Sequence, residues 1–115
     1  MTPPMKIDER HEGGALVLKI EGRLDHDGAR VFEECTSRAI AAGEKFLVAD
    51  FGGVDFLASM GIRALIKPYQ TLAQSGGRLV VANLGDSVRE VFKIAGIDQA
   101  VPIFDSVEAA IASQA

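Results

Sequence analysis

The chain has 115 residues, 48% of them hydrophobic, which is enough for one domain with its own core and no need of disulfides or a structural metal. A formal charge of −4, with no basic cluster to neutralise phosphates, argues against nucleic-acid or anionic-membrane binding. The single cysteine, Cys35, excludes an internal disulfide and fits a reducing compartment, so the cytoplasm is the expected location. The N-terminus MTPPMKIDER lacks the apolar segment of a signal peptide, and no apolar run is long enough to span a bilayer, so no membrane insertion is expected.

In chain order, residues 5–10 read as a short strand, followed by the turn-like His11, Glu12, Gly13 and Gly14 and a clearer strand over residues 15–22. In this second strand Leu16, Leu18 and Ile20 alternate with Val17, Lys19 and Glu21, which predicts one apolar face and one partly wet face. Asp25 or Asp27 then caps a helix with the apolar stripe Val31, Phe32, Cys35, Ala39 and Ile40, ended by Gly43. The near-continuous apolar run over residues 46–51 predicts a strand buried on both faces, with Gly52 and Gly53 turning out of it.

Ile62, Leu65, Ile66, Tyr69 and Leu72 recur at helical spacing after Ser59, which stands where an N-cap belongs, and Pro68 predicts a bend within that helix. Gly76 and Gly77 end it, and residues 78–83 form a further buried strand. Asp86 or Ser87 caps a helix carrying Val88, Val91, Phe92 and Ala95 and stopping at Gly96. Residues 101–104 form a last strand, where Pro102 favours an edge, and Asp105 with Glu108 opens a short terminal helix.

Strands alternating with helices define an α/β domain over residues 1–115, with a mainly parallel sheet, an antiparallel N-terminal strand and about four helices. Residues 1–4 and 113–115 are expected to fray. Ligands and partners of such sheets meet the loops beyond the carboxyl ends of the strands, and here those loops hold Asp25, His26 and Asp27, then Asp55 to Ser59, then Asn83 to Ser87.

Ser59 at a strand-to-helix joint invites a nucleophile-elbow reading, but Leu57 replaces the first glycine and both histidines, His11 and His26, precede the serine. His26 between Asp25 and Asp27 lacks a second histidine or cysteine at metal-ligand spacing. Asp50 at a strand end suggests a phosphoacceptor aspartate, yet the further carboxylates for Mg²⁺ and a lysine on the last strand are missing. The paired glycines lack the spacing or the lysine of a phosphate-cradling loop. No catalysis, metal or cofactor is therefore called for, and residue chemistry leaves Ser59 as a helix cap or as a cap that is also phosphorylated.

The segment LVADFGGVDFLASMGIRALI resembles the STAS domain, the fold of bacterial anti-sigma-factor antagonists, whose signature is an apolar strand ending in aspartate, a short turn, and D-S-S-G-[LI] opening a helix. Gly22, Leu24, Asp25 and His26 in EGRLDHDGA resemble that family's G-x-L-D loop, and RLVVANLGDSVREVFKIAGID resembles its next strand and helix. The resemblance implies that Ser59 is the phosphoacceptor of a serine kinase that is itself the anti-sigma factor, with a PP2C-type phosphatase restoring the unmodified form. Gly61 matches the motif glycine, whereas Ala58 and Met60 replace its aspartate and second serine. On this reading Asp25, His26, Ala58, Ser59, Met60, Gly61 and Arg63 form the partner-binding surface. The same resemblance admits another expectation, a non-switching adaptor subunit of an ABC lipid-transport complex or a sensory scaffold.

Overall fold

The computed structural model describes residues 5–113, and the fraying expected of residues 1–4, 114 and 115 lies outside it. Strand β1 (Lys6–Glu12) pairs antiparallel with β2 (Ala15–Leu24) through a tight turn in which Gly13 and Gly14 both take positive φ, 57° and 82°. Then follow α1 (His26–Ala41), β3 (Phe46–Leu57), α2 (Ser59–Gln74), β4 (Arg78–Ala82), α3 (Asp86–Ala95), a 3₁₀ turn (Ile97–Gln99), β5 (Ile103–Phe104) and α4 (Val107–Ala112). The five strands form one sheet in the order β1-β2-β3-β4-β5, parallel from β2 onward. This is the α/β architecture expected from the alternation of patterns, with β1 and β5 at the edges.

The sheet is covered unequally. On one face Leu16, Leu18 and Ile20 of β2 and Leu47, Ala49 and Phe51 of β3 pack against α1, α2 and α3. On the other, α4 lays Val107 and Ala110 over Ala15, Val17, Phe46, Val48, Val80 and Ala82. The period-2 alternation of β2 and β3 assigns these residues to opposite faces, as the strand geometry requires. Phe51 and Phe92 meet edge to face at 5.8 Å beneath α3, a favourable aromatic arrangement that fixes that helix on the sheet.

Several expected boundaries shift, each for a local reason. Strand β3 does not turn at Gly52 and Gly53 but runs on to Leu57. A Cβ at Gly53 would lie 2.7 Å from Glu21 Cγ and 2.9 Å from the Ile20 carbonyl oxygen, so this glycine permits close strand contact rather than a turn. The pairing slips there, Lys19 opposing Asp50 and Glu21 opposing Gly53, and this irregularity redirects the second half of the strand. Asp25, not Asp27, caps α1, its carboxylate accepting the Gly28 amide at 3.0 Å. Three other caps move by one or two residues: Ala58 instead of Ser59 for α2, Gly85 instead of Asp86 or Ser87 for α3, and Ser106 instead of Asp105 for α4.

Val31, expected in the core stripe, is 40% exposed, as α1 turns Phe32, Cys35 and Ala39 inward. Helix α2 remains helical through Pro68, and Asn83 lies beyond the end of β4. Ser113, expected to fray, accepts Arg78 Nη2 on its hydroxyl at 3.2 Å and Arg78 Nη1 on its carbonyl at 3.3 Å.

Candidate docking edge at the start of α2

Helix α2 starts at the carboxyl edge of the sheet, against the end of β2. The Ala58 amide donates to the Leu24 carbonyl at 3.1 Å, which ties the residue before α2 to the residue before the α1 cap. Gly61 sits in the first turn at the tightest point of this junction. A Cβ there would fall 2.5 Å from the Leu24 carbonyl oxygen and 2.9 Å from Leu57 Cδ1, so glycine is a steric requirement of the approach. Across the same junction His26 Nδ1 lies 2.9 Å from Met60 Sδ, joining the first turns of α1 and α2.

The seven residues singled out in the sequence therefore divide into two groups. Asp25, His26, Ala58, Ser59, Met60 and Gly61 are drawn together where β2 and β3 deliver their two helices. Arg63 lies one turn further along α2, exposed, and forms none of the ion pairs among the described residues. Ser59 and Met60 are exposed, Ala58 and Asp25 are half-buried, and Gly61 is buried. As the residue before the helix, Ala58 offers no side-chain acceptor to the free amides of the first turn. The hydroxyl of Ser59 thus stands on the surface at the electropositive end of a helix of sixteen residues, a favourable place for a dianionic group.

Two further contacts shape this edge. The Arg23 guanidinium stacks 4.0 Å over the ring of Phe56, a 38% exposed aromatic, and its Nε lies 3.8 Å from Asp25. The carboxylate of Asp50, buried to 8% exposure, accepts the Gly52 amide at 2.9 Å and Asn83 Nδ2 at 3.0 Å. Asn83 takes φ of 62°, a left-handed conformation that asparagine tolerates better than most residues. Asp50 thus brackets the redirected part of β3 and the end of β4. The only sequence signal for this lock is a polar residue at the end of each of two adjacent apolar strands. Among the described residues no cluster of three histidine, cysteine or carboxylate side chains gathers as a metal site.

The chain belongs to the STAS domain family, whose model matches residues 6–110. A relative in Bordetella bronchiseptica, the candidate anti-sigma factor antagonist BtrV, is 32% identical over 109 residues, covering 95% of this chain and 94% of that protein. The crystal structure of an anti-sigma factor antagonist from Mycobacterium paratuberculosis superposes with a TM-score of 0.88 at 23% identity, covering 98% of this chain and 97% of that one. SpoIIAA, a Bacillus cell fate determinant, superposes in its phosphorylated form with a TM-score of 0.73 at 21% identity over 96% of this chain and all of that one. At such identities the structural likeness is one of fold. No helix among the described residues is long and apolar enough to cross a membrane.

Proposed function

We propose that this chain is a cytoplasmic anti-sigma-factor antagonist that captures an anti-sigma serine kinase at the start of α2 and is switched off by phosphorylation of Ser59. A PP2C-type phosphatase restores the capturing form. The observation that carries this reading is the exposed Ser59 hydroxyl in the first turn of α2, seated beside Asp25, His26 and Met60 on one open edge. The BtrV relative, matched over nearly the whole of both chains, supports it. The fold is also that of SpoIIAA in its phosphorylated form, so phosphate and this architecture are compatible.

Ala58 and Met60 change the motif on either side of the acceptor but leave its hydroxyl accessible. The test is ATP-dependent labelling by an anti-sigma serine kinase of the same organism, with the phosphate located by mass spectrometry. Ser59 is expected to be the sole acceptor, with Ser37, Ser75, Ser87 and Ser106 unmodified, and Ser59→Ala is expected to abolish labelling. Phosphate on another serine overturns the assignment. Stable, stoichiometric assembly with a transporter or scaffold subunit and no labelling at all favours the non-switching adaptor instead.

A further inference from the structure

Met60 is the second residue of α2, is 43% exposed, and has its Sδ 2.9 Å from His26 Nδ1. The chain's other sulfur-bearing side chains within the described residues are less accessible. Met5 is half-buried and packs against the larger core cluster. Cys35 is buried, and desolvation raises its thiol from 9.0 to about 11, with Glu9 adding to the shift and Arg38 opposing it. Little of the reactive thiolate then exists at neutral pH. An oxidant at the protein surface thus meets a thioether at the docking edge before it meets a reactive thiol.

We propose that Met60 is a reversible oxidation site, at which a hydroperoxide converts the thioether to a sulfoxide and His26 holds the new oxygen. In the step a sulfur lone pair attacks the peroxide, the O–O bond breaks, an S–O bond forms, and the peroxide's second oxygen leaves as water: thioether plus hydrogen peroxide gives sulfoxide plus water. Two thiols of a methionine sulfoxide reductase reverse it, releasing water and a disulfide. A sulfoxide oxygen is a far better acceptor than a thioether sulfur, and His26 Nδ1, already 2.9 Å from the sulfur, is placed to donate to it in the tautomer that carries its proton on that nitrogen. Oxidation therefore replaces a weak nitrogen–sulfur contact between α1 and α2 with a stronger, directional hydrogen bond.

The consequence for binding rests on the docking role proposed above. A partner that buries Met60 would then cover a sulfoxide oxygen whose acceptor capacity beyond the His26 bond has no donor in a surface fitted to the thioether, which predicts a loss of affinity of about tenfold.

The experiment treats the intact chain with hydrogen peroxide and follows each methionine by peptide mass spectrometry and the His26 ring by ¹⁵N NMR. Met60 is expected to take up oxygen ahead of Met5, with the His26 ring resonances moving in step, and methionine sulfoxide reductase is expected to return both. In Met60→Leu the His26 resonances stay fixed under peroxide. Faster oxidation of Met5, or a Met60 sulfoxide that leaves the His26 ring unmoved, overturns the site. An anti-sigma kinase that binds reduced and oxidised chains equally overturns the effect on docking. A kinase that binds neither overturns the docking role while the oxidation site stands on its own measurements.

Discussion

A single methyl group at position 61 would be too much for the junction it occupies. The added Cβ would stand 2.5 Å from a backbone oxygen of Leu24, an atom that cannot move without dragging the end of β2 and the α1 cap with it. Overpacking of this kind typically costs about 1–3 kcal/mol, so Gly61→Ala is expected to lower stability by that amount in chemical denaturation. It is also expected to push the first turn of α2 away from His26 and Asp25. Gly43 is the internal contrast, with no atom within 4 Å of a built Cβ, so alanine there meets only the strain of its φ of 95°. If Gly61→Ala proved as stable as the parent, the tight approach of α2 to Leu24 would be wrong. The glycine was legible as a motif position, but its physical reason was not, because the opposing atom comes from a strand thirty-seven residues earlier.

At the scale of elements, the periodic patterns specified the strands and helices well and their ends poorly. The stripes of α1 and α2 and the alternation of β2 follow from burial against a sheet, a requirement visible within any ten residues of chain. Caps depend on where the incoming loop turns, and neighbouring candidates such as Ser106 and Asp105 differ little in intrinsic preference. The full length of β3 was hidden for another reason. Gly52 and Gly53 carry turn chemistry in isolation, and only the Glu21 side chain and the Asp50 lock make them strand residues.

For the site, the offset at α2 matters: with Ala58 in the cap position, Ser59 belongs to the helix and exposes its hydroxyl on the first turn. Arg63, a turn onward and exposed, extends that face. Arg63→Ala is expected to weaken binding of the anti-sigma kinase by about 1 kcal/mol or less if it stays solvated, and by more if the partner buries it. The reference variant should be Lys93→Ala on α3. Arg78 would be a poor reference, since it holds Ser113 and stacks 5.2 Å over Phe46. Equal, small losses for Arg63→Ala and Lys93→Ala would remove Arg63 from the interface.

For the molecule as a whole, the question is whether the phosphate proposed at Ser59 would act through the fold or at its surface. The cores lie on the two sheet faces, and Ser59 belongs to neither, so a new group there displaces no buried side chain. A phosphoserine adds a charge of roughly −1.5 to −2. At a helix N-terminus the dipole and free amides favour such a charge by about 0.3 to 1 kcal/mol. Against it stands the chain's own charge of −4 and the carboxylate of Asp25 at the same edge. Asp25 is partly engaged by the Gly28 amide and Arg23, and solvent and salt weaken repulsion at an exposed site, so the balance for folding stays near zero. A partner meets a different balance. It must bury the phosphate or face it with its own surface, and an uncompensated buried charge costs far more than the helix end returns. Phosphorylation is therefore expected to leave the melting temperature nearly unchanged while sharply weakening the proposed capture of an anti-sigma kinase. Amide NMR of the phosphorylated chain should show changes confined to the first turns of α1 and α2 and the end of β2. Shifts spread across the sheet or a large drop in melting temperature would mean that the fold itself responds, and unchanged kinase affinity would mean that phosphate at this edge is no switch.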